Sequence, residues 1–149
     1  MKIDYFMGEA IKEAKKALKN NEVPIGGVLI DNYSQNIISR GHNRINSSSN
    51  AINHCELVII IKACKKLKTK YLQNTTLFIT LEPCIMCSAA ISEVHIRTIY
   101  FGAYSEKSDG LEKLNSNNNF KGFSPEIYGG IQERQSKKLL KDFFLKQRK

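Results

Sequence analysis

Residues 54–56 and 83–87 carry two short motifs, His-Cys-Glu and Pro-Cys-Ile-Met-Cys, whose side chains are typical of a zinc site. His54 offers an imidazole nitrogen, and Cys84 and Cys87 offer thiolates at the C-x-x-C spacing that lets both sulfurs bind one metal. A structural zinc site normally has four protein ligands, whereas a hydrolytic site has three and leaves the fourth position to water. The motifs supply three ligands, so they predict one catalytic Zn²⁺ per chain.

Glu56 is the one carboxylate in these motifs, and it is predicted to carry protons. Zinc lowers the pKa of bound water from about 16 toward roughly 7, which makes hydroxide available at neutral pH. Glu56 would take the proton of that water and pass it to a leaving amine, a transfer worth on the order of a hundred- to ten-thousand-fold in rate. Because two thiolates cancel the charge of the zinc, we expect two helix N-termini to point at the metal and stabilise thiolate and hydroxide. The predicted reaction is hydrolytic deamination.

The pattern H-x-E with P-C-x-x-C resembles that of the zinc nucleobase deaminases. Within that superfamily the chain is most similar to the bacterial tRNA-specific adenosine deaminases, the TadA family, and the similarity runs nearly end to end. Its strongest stretches are residues 21–30, 41–44, 80–87, 100–103 and 139–144. The resemblance implies conversion of adenosine to inosine at the wobble position of a tRNA anticodon loop.

The resemblance also implies roles for individual residues. It assigns zinc binding to His54, Cys84 and Cys87 and acid-base catalysis to Glu56. Asn43 would hydrogen-bond the flipped nucleotide, and Val23 and Pro24 would help to wall the base pocket. Lys107 and Phe144 match positions near the bound RNA strand. Relatives build the RNA channel with a neighbouring subunit, so a homodimer is implied as well, and no nucleotide cofactor is expected.

Three departures from the family pattern concern substrate recognition. Residues 50–53 read Asn-Ala-Ile-Asn where relatives usually have Asp-Pro-Thr-Ala, and His42 replaces an aromatic residue. Tyr104 and Ser105 stand where relatives usually carry Arg-Asp. A carboxylate there can accept a hydrogen bond from a ribose 2′-OH, so its loss bears on strand affinity and on discrimination between RNA and DNA. The metal ligands and Glu56 are unaffected.

The charge of the chain favours a polyanionic partner. The net charge is +9, and residues 134–149 hold seven basic residues against the single acidic residue Asp142. A second basic cluster lies at residues 62–70. Basic clusters can also be no more than a solvated helix face. We therefore expect RNA contact chiefly from the C-terminal segment and less from residues 62–70.

Length and composition favour a single cytoplasmic domain. A chain of 149 residues can bury roughly two-thirds of its unfolded surface in one domain, residues 1–149. Asp4, Glu9 and Glu13 interrupt any apolar leader, and no apolar run approaches the ~20 residues of a membrane span. Four cysteines, two of them in a metal motif, fit a reducing compartment. Cys55 and Cys64 are expected in the core.

Alternating strand and helix patterns predict an α/β protein, a three-layer α/β/α sandwich, and the resemblance adds the mixed five-stranded sheet of the cytidine deaminase fold. Helices are predicted at residues 4–20, 56–66, 84–93 and 133–147, and strands at residues 28–31, 36–41, 75–81, 97–101 and 125–128. Residues 45–53 and 115–119 are predicted to be loops. The last helix is predicted to turn Leu139, Leu140, Phe143 and Phe144 inward.

Two alternative functions remain open at the level of sequence. A zinc deaminase of a free nucleobase or nucleoside, of the guanine or cytosine type, would share the zinc core without needing the basic C-terminal segment. A non-catalytic, zinc-stabilised RNA-binding protein would bind RNA but turn over nothing, and Glu56→Ala would make no difference to it. Rates on free base and on stem-loop RNA distinguish these possibilities.

Overall fold

The structure is a computed structural model that describes residues 1–107, 110 and 121–147. The predicted loop at 115–119 and the last two basic residues, Arg148 and Lys149, lie outside the described residues. Within them, four helices and five strands follow one another as α1 (Ile3–Lys19), β1 (Gly26–Asp31), β2 (Ile37–His42), α2 (Cys55–Leu67), β3 (Thr75–Leu81), α3 (Ile85–Glu93), β4 (Thr98–Ala103), β5 (Glu126–Tyr128) and α4 (Glu133–Gln147). None of the described helices is long and apolar enough to span a membrane.

The strands form one mixed sheet in the order β2-β1-β3-β4-β5. β1 pairs antiparallel with β2, where Gly26 lies opposite His42, and antiparallel with β3. β3, β4 and β5 are parallel to one another. Because parallel strands end at the same edge of a sheet, the segments that follow β3 and β4 lie side by side. In α/β proteins, binding sites commonly form outside this edge.

Helices cover both faces of the sheet, which confirms the predicted three-layer arrangement. Side chains alternate along a strand, so neighbours such as Leu77 and Phe78 enter opposite layers. Leu77 belongs to the core between the sheet and the helices α2 and α3. Phe78 belongs to the core on the other face, where Phe6 of α1 and Leu139 of α4 pack.

Gly26 fixes how closely α1 approaches the sheet. A Cβ atom at this position would lie 2.2 Å from the backbone nitrogen of Ala14 and 2.4 Å from the carbonyl oxygen of Ala10. Only glycine fits such an approach. The middle of α1 is thereby held against the start of β1.

The predicted elements are confirmed within about two residues, but one side-chain prediction is wrong. Phe144 is 46% exposed, whereas Phe143 is 8% exposed and belongs to the core. Ser136 and Phe143 are the buried residues of α4, two turns apart, and Leu139 and Leu140 are half-buried. The contact of α4 with the sheet is therefore a narrow stripe, and Phe144 lies outside it.

Candidate active site

Two helices begin at predicted metal ligands. His54 is the N-cap of α2 and Cys84 is the N-cap of α3, and both have extended backbone angles. N-cap positions usually carry Ser, Thr, Asp or Asn, whose side chains bond the first N–H groups of the helix. Neither His54 nor Cys84 makes such a bond. Both side chains instead point to a common position at the helix N-termini.

The donor atoms of His54, Cys84 and Cys87 fit a tetrahedral zinc ion. All three lie within 4.8 Å of one another. His54 Nδ1 is 3.7 Å from Cys84 Sγ and 3.6 Å from Cys87 Sγ. Zinc–sulfur bonds near 2.3 Å and zinc–nitrogen bonds near 2.0 Å at a tetrahedral angle require a nitrogen–sulfur separation of about 3.5 Å, close to the distances in the structure. This is the group that would hold the predicted Zn²⁺.

The two thiols need a cation if both are to ionise. Hydrogen bonding from the Cys87 thiol, joined by the backbone N–H groups of Cys87 and Met86, lowers the pKa of Cys84 to about 5 although burial raises it. The hydrogen bond to Cys84, followed by burial, raises the pKa of Cys87. A dication offsets two adjacent thiolates, as expected for a metal-binding C-x-x-C pair.

Glu56 lies in the first turn of α2 and is only 5% exposed. Burial is the largest influence on its carboxyl group and raises the pKa above the ordinary value, and the charge of Cys84 acts in the same direction. The backbone N–H of Glu56, the Cys87 thiol and His54 oppose this shift. A carboxyl group whose pKa is raised toward neutrality is suited to accept and return a proton.

Asn43 lies beside this group with a fixed side-chain orientation. Its Oδ1 accepts a hydrogen bond of 2.9 Å from the backbone N–H of Cys55, so it supplies the cap that His54 does not. Its own backbone N–H donates to the carbonyl oxygen of Ile25 at 3.1 Å, next to Val23 and Pro24. Among the described residues, Nδ2 finds no acceptor, so a donor remains available for a ligand. The structure thus places Asn43 beside the segment that contains Val23 and Pro24.

The Tyr104–Ser105 departure lies at the same sheet edge, directly after β4. Glu82, which precedes the Pro-Cys motif, accepts a 3.0 Å hydrogen bond from the backbone N–H of Ser105. The backbone N–H of Lys107 donates to Ser105 Oγ at 3.3 Å, and the Lys107 side chain is exposed. This loop therefore borders the metal-binding segment. Phe144 lies on α4, exposed to solvent, with its ring edge-on to that of Phe143.

The departure at residues 50–53 supplies hydrogen bonds within its own loop. Asn50 Oδ1 accepts from the backbone N–H of Ile52 at 3.1 Å. Asn53 Nδ2 donates to Ser48 Oγ at 2.9 Å, and the Asn53 carbonyl accepts from the Arg44 N–H at 3.2 Å. The loop leading into His54 is thus an ordered turn structure, built with side chains that differ from the usual pattern.

Three buried acidic residues behind the site were not predicted from the sequence: Glu13, Glu22 and Glu82. Glu13 lies 2.7 Å from Lys16 Nζ and 3.5 Å from His42 Nδ1. Their partners lie 3 to 29 positions away along the chain, and hydrophobic patterns carry no information about such pairs. In the sequence, a buried acidic residue of this kind is indicated only by its position, at the end of an apolar helix face or directly before an apolar segment.

Fold and site together define a zinc-dependent deaminase. The sequence profile of the cytidine and deoxycytidylate deaminase zinc-binding region matches residues 1–103, and the chain belongs to this family. It is 39% identical to a tRNA-specific adenosine deaminase of Rickettsia bellii, over 94% of this chain and 98% of that protein. A tRNA-specific adenosine deaminase of Bacillus subtilis is 40% identical over 98% of this chain and 91% of its own length. A solved chain from a study of A-to-I editing by tRNA:A34 deaminases at the wobble position superposes with a TM-score of 0.84 at 35% identity, covering 91% of this chain and 99% of that one.

Proposed function

We propose that this protein hydrolytically deaminates the wobble adenosine of a tRNA anticodon loop to inosine. The observation that carries the proposal is the group of three metal ligands, His54, Cys84 and Cys87, with the buried carboxyl of Glu56 beside it. Similarity to tRNA-specific adenosine deaminases over nearly the whole chain selects the substrate.

Glu56 moves the protons in this reaction. His54, Cys84 and Cys87 would hold Zn²⁺, which when bound would lower the pKa of a water molecule toward roughly 7. The Glu56 carboxylate takes the two protons of the water in turn and gives one to N1 and one to the 6-amino nitrogen of adenine. The oxygen becomes bonded to C6, the bond from C6 to the amino nitrogen breaks, and ammonia leaves. One water is consumed, and inosine and ammonia are formed. Burial of Glu56 keeps competing solvent away from this transfer.

Asn43 orients the nucleotide. Since Oδ1 is occupied by the N–H of Cys55, the side chain presents its Nδ2 donor to an acceptor atom of the flipped nucleotide. Val23 and Pro24 form the neighbouring wall of the base pocket. An anticodon-loop base is already unpaired, so moving it into the pocket avoids much of the cost of unstacking.

The remaining RNA contacts come from basic residues outside the pocket. Lys107 follows β4 at the edge that carries the metal ligands, and α4 exposes a row of basic side chains: Arg134, Lys137, Lys138, Lys141 and Lys146. Neutralising phosphates in this way releases counterions and supplies affinity without sequence preference. Exposed Phe144, on the same helix, would add an aromatic surface for stacking.

A homodimer is proposed because α3 presents an apolar outer face. This helix has no charged residue before Glu93, and a helix that is apolar all round is normally buried. Ile85 is nevertheless 48% exposed, and Ile61 of the neighbouring α2 is 64% exposed. A second copy of the chain would cover both. We further propose one deaminase domain over residues 1–149, acting in the cytoplasm where its tRNA substrate is used.

The test uses zinc-loaded protein and an anticodon stem-loop with adenosine at the wobble position. Wild type and Glu56→Ala are incubated with it in parallel, and inosine is scored by mass spectrometry. Inosine from wild type alone supports the proposal. Faster turnover of free adenosine, guanine or cytosine would identify a small-molecule deaminase. Tight RNA binding without turnover in either protein would identify a binding protein.

A further inference from the structure

The loop at residues 44–53 connects Asn43 of the pocket with His54 of the metal group, and its attachment to the rest of the fold is unusual. Its backbone bonds are largely internal, for example from Asn50 N–H to the Ile45 carbonyl at 3.1 Å. The attachment comes from a buried carboxylate, Glu22, which is 1% exposed and lies in the connection between α1 and β1. Glu22 supplies two of the three hydrogen bonds that join this loop to the connection between α1 and β1.

The backbone of Glu22 is fixed by the end of α1. Asn21 has a positive φ of 57° and follows the C-cap Asn20. The Glu22 N–H donates to the Ala17 carbonyl at 3.0 Å, and the Asn21 N–H donates to the Leu18 carbonyl at 3.2 Å. This pair of bonds is the Schellman ending of a helix. Since Gly26 presses α1 against β1, the Glu22 side chain starts from a rigid base.

The carboxylate of Glu22 binds two successive backbone N–H groups of the loop. Oε1 accepts from Asn46 at 2.9 Å, and Oε2 accepts from Ser47 at 2.8 Å. Asn46 Nδ2 adds a weaker bond of 3.3 Å to the Asn21 carbonyl. Hydrogen bonds to a charged acceptor are roughly twice as strong as neutral ones, and here both oxygens are used.

We propose that Glu22 is a positioning residue for substrate binding: it holds residues 43–47 against Val23 and Pro24 and so sets the width of the nucleotide pocket. This inference rests on the proposed function for the identity of the ligand, the anticodon stem-loop. Glu22 directly precedes the Val-Pro wall, and the N–H groups that it binds lie three and four residues after Asn43. The carboxylate thus adds a second link between the two walls, beside the hydrogen bond from the Asn43 N–H to the Ile25 carbonyl.

Glu22→Gln separates this role from general support of the fold. The amide keeps one acceptor but turns an NH₂ group toward the second loop N–H. One of the two hydrogen bonds from the loop to residue 22 is therefore lost, while the core clusters are unchanged. We expect KM for the stem-loop to rise roughly tenfold, the loss for a broken charged hydrogen bond, with kcat within about twofold and zinc content unchanged. Glu22→Asp keeps both acceptors and is expected to restore part of the affinity.

Glu13→Gln is the matched control, because it neutralises another buried carboxylate, whose partners are side chains of Lys16, Arg40 and His42 rather than loop amides. Its KM is expected to stay within about twofold of wild type. An equal rise of KM in both variants would overturn the proposal, as would an unchanged KM in Glu22→Gln.

Two further readouts do not depend on turnover. Stem-loop affinity is compared between Glu56→Ala and the double variant Glu56→Ala/Glu22→Gln, and amide hydrogen exchange is followed at Asn46 and Ser47. We expect weaker binding and at least about tenfold faster exchange at these two amides, with protection in β1 and β3 retained. Unchanged exchange sinks the inference even if wild type makes inosine. A wild type that makes no inosine sinks the proposed function alone, since the exchange result still decides the role of Glu22.

Discussion

At the scale of single residues, the residues at the N-cap positions of α2 and α3 do not cap their helices. An N-cap residue usually stands at the start of the helix and also accepts a hydrogen bond from one of its first N–H groups. The positions that begin α2 and α3 are occupied by metal ligands, so capping of α2 passes to Asn43, twelve residues before Cys55. An N-cap interaction contributes about 0.5–2 kcal/mol to stability. Asn43 therefore serves the fold through Oδ1, and its proposed contact with the substrate is made through Nδ2, so mutation can separate the two roles.

Asn43→Asp keeps the oxygen acceptor and removes the donor, whereas Asn43→Ala removes both. We expect Asn43→Ala to lose about 1 kcal/mol of unfolding free energy, and Asn43→Asp to stay close to wild type, because Asp is an equally good cap at a helix N-terminus. Both variants are expected to raise KM for the stem-loop. Urea unfolding and steady-state kinetics measure the two effects. A wild-type KM in Asn43→Asp would contradict the assignment of Nδ2 to the nucleotide.

Metal content is the second prediction at this scale. Cys87→Ser replaces a thiolate with a hydroxyl, a much poorer zinc ligand, so zinc per chain and activity are expected to fall together and in proportion. Cys64→Ser is the matched control, because Cys64 is only half-buried and lies outside the ligand group. Zinc is measured by elemental analysis after dialysis. Full zinc occupancy in Cys87→Ser would remove this residue from the ligand set.

At the scale of elements, the two basic clusters have different surroundings. Lys62 Nζ donates to the Arg40 carbonyl at 3.2 Å, and Lys66 Nζ donates to the Ile38 carbonyl at 3.1 Å. Both acceptors belong to β2, an edge strand of the sheet. Lysines at an edge satisfy free carbonyl groups and discourage pairing with another chain. The basic residues of α4 are exposed, and the ion pairs described for them, Lys137 with Glu133 and Lys138 with Asp142, lie within their own helix.

The salt dependence of RNA binding distinguishes these clusters. Each phosphate contact contributes about 0.7–0.9 to the slope of log affinity against log salt concentration. We expect Lys141→Gln and Lys146→Gln to lower the slope by about this amount each, because a contact is lost. Lys62→Gln/Lys66→Gln is expected to leave it unchanged and to reduce solubility. Binding titrations of the stem-loop between low and moderate salt provide the test, and a slope that changes only in the Lys62/Lys66 variant would reverse the assignment.

Elements and metal ligands were predictable from the sequence because both depend on short-range patterns. A continuous run of β-branched and apolar residues located β3, and the C-x-x-C spacing located two ligands. Side-chain partnerships were not predictable, since Glu22 and Ser47 meet across 25 positions and no periodicity links them. The prediction that Phe144 is buried was wrong for a related reason. Helical spacing shows which face of a helix is apolar, but not how wide a stripe of that face a neighbouring layer covers.

At the scale of the whole molecule, buried carboxylates make stability depend on pH. Burial raises the pKa of Glu13, but Lys16, His42 and Arg40 outweigh it, and the net pKa is lowered. Burial likewise raises the pKa of Glu22, and the N–H groups of Ser47 and Asn46 outweigh it. A carboxyl whose folded-state pKa is lowered stabilises the fold fully above its ordinary pKa, near 4.3, and loses that contribution as the pH falls through the folded-state value.

The fold is therefore expected to weaken as the pH drops below about 4.5, and less steeply in Glu22→Gln, which cannot gain this proton. Unfolding free energies of wild type and variant are measured with urea at several pH values between about 3 and 6. Protonation of the metal ligands affects both proteins equally, so the difference between the two free energies reports on the Glu22 carboxylate alone. A difference that stays constant over this range would show that Glu22 does not titrate with folding.

In the proposed homodimer, the exposed apolar side chains of α2 and α3 lie between the two copies. Ile61 and Ile85 are exposed on adjacent helices, and a carboxylate in the centre of an apolar interface between two copies is buried without a partner, at a cost of several kcal/mol. Ile61→Glu is therefore expected to convert a dimer to a monomer in sedimentation velocity without lowering the unfolding free energy of the isolated chain, because the side chain already faces solvent there.

Leu145→Glu, at an equally exposed apolar position on α4, is the matched control and should sediment as wild type does. If wild type is already a monomer, this face has no second copy upon it. If both variants dissociate, the contact extends to α4 and the proposed location of the interface is wrong.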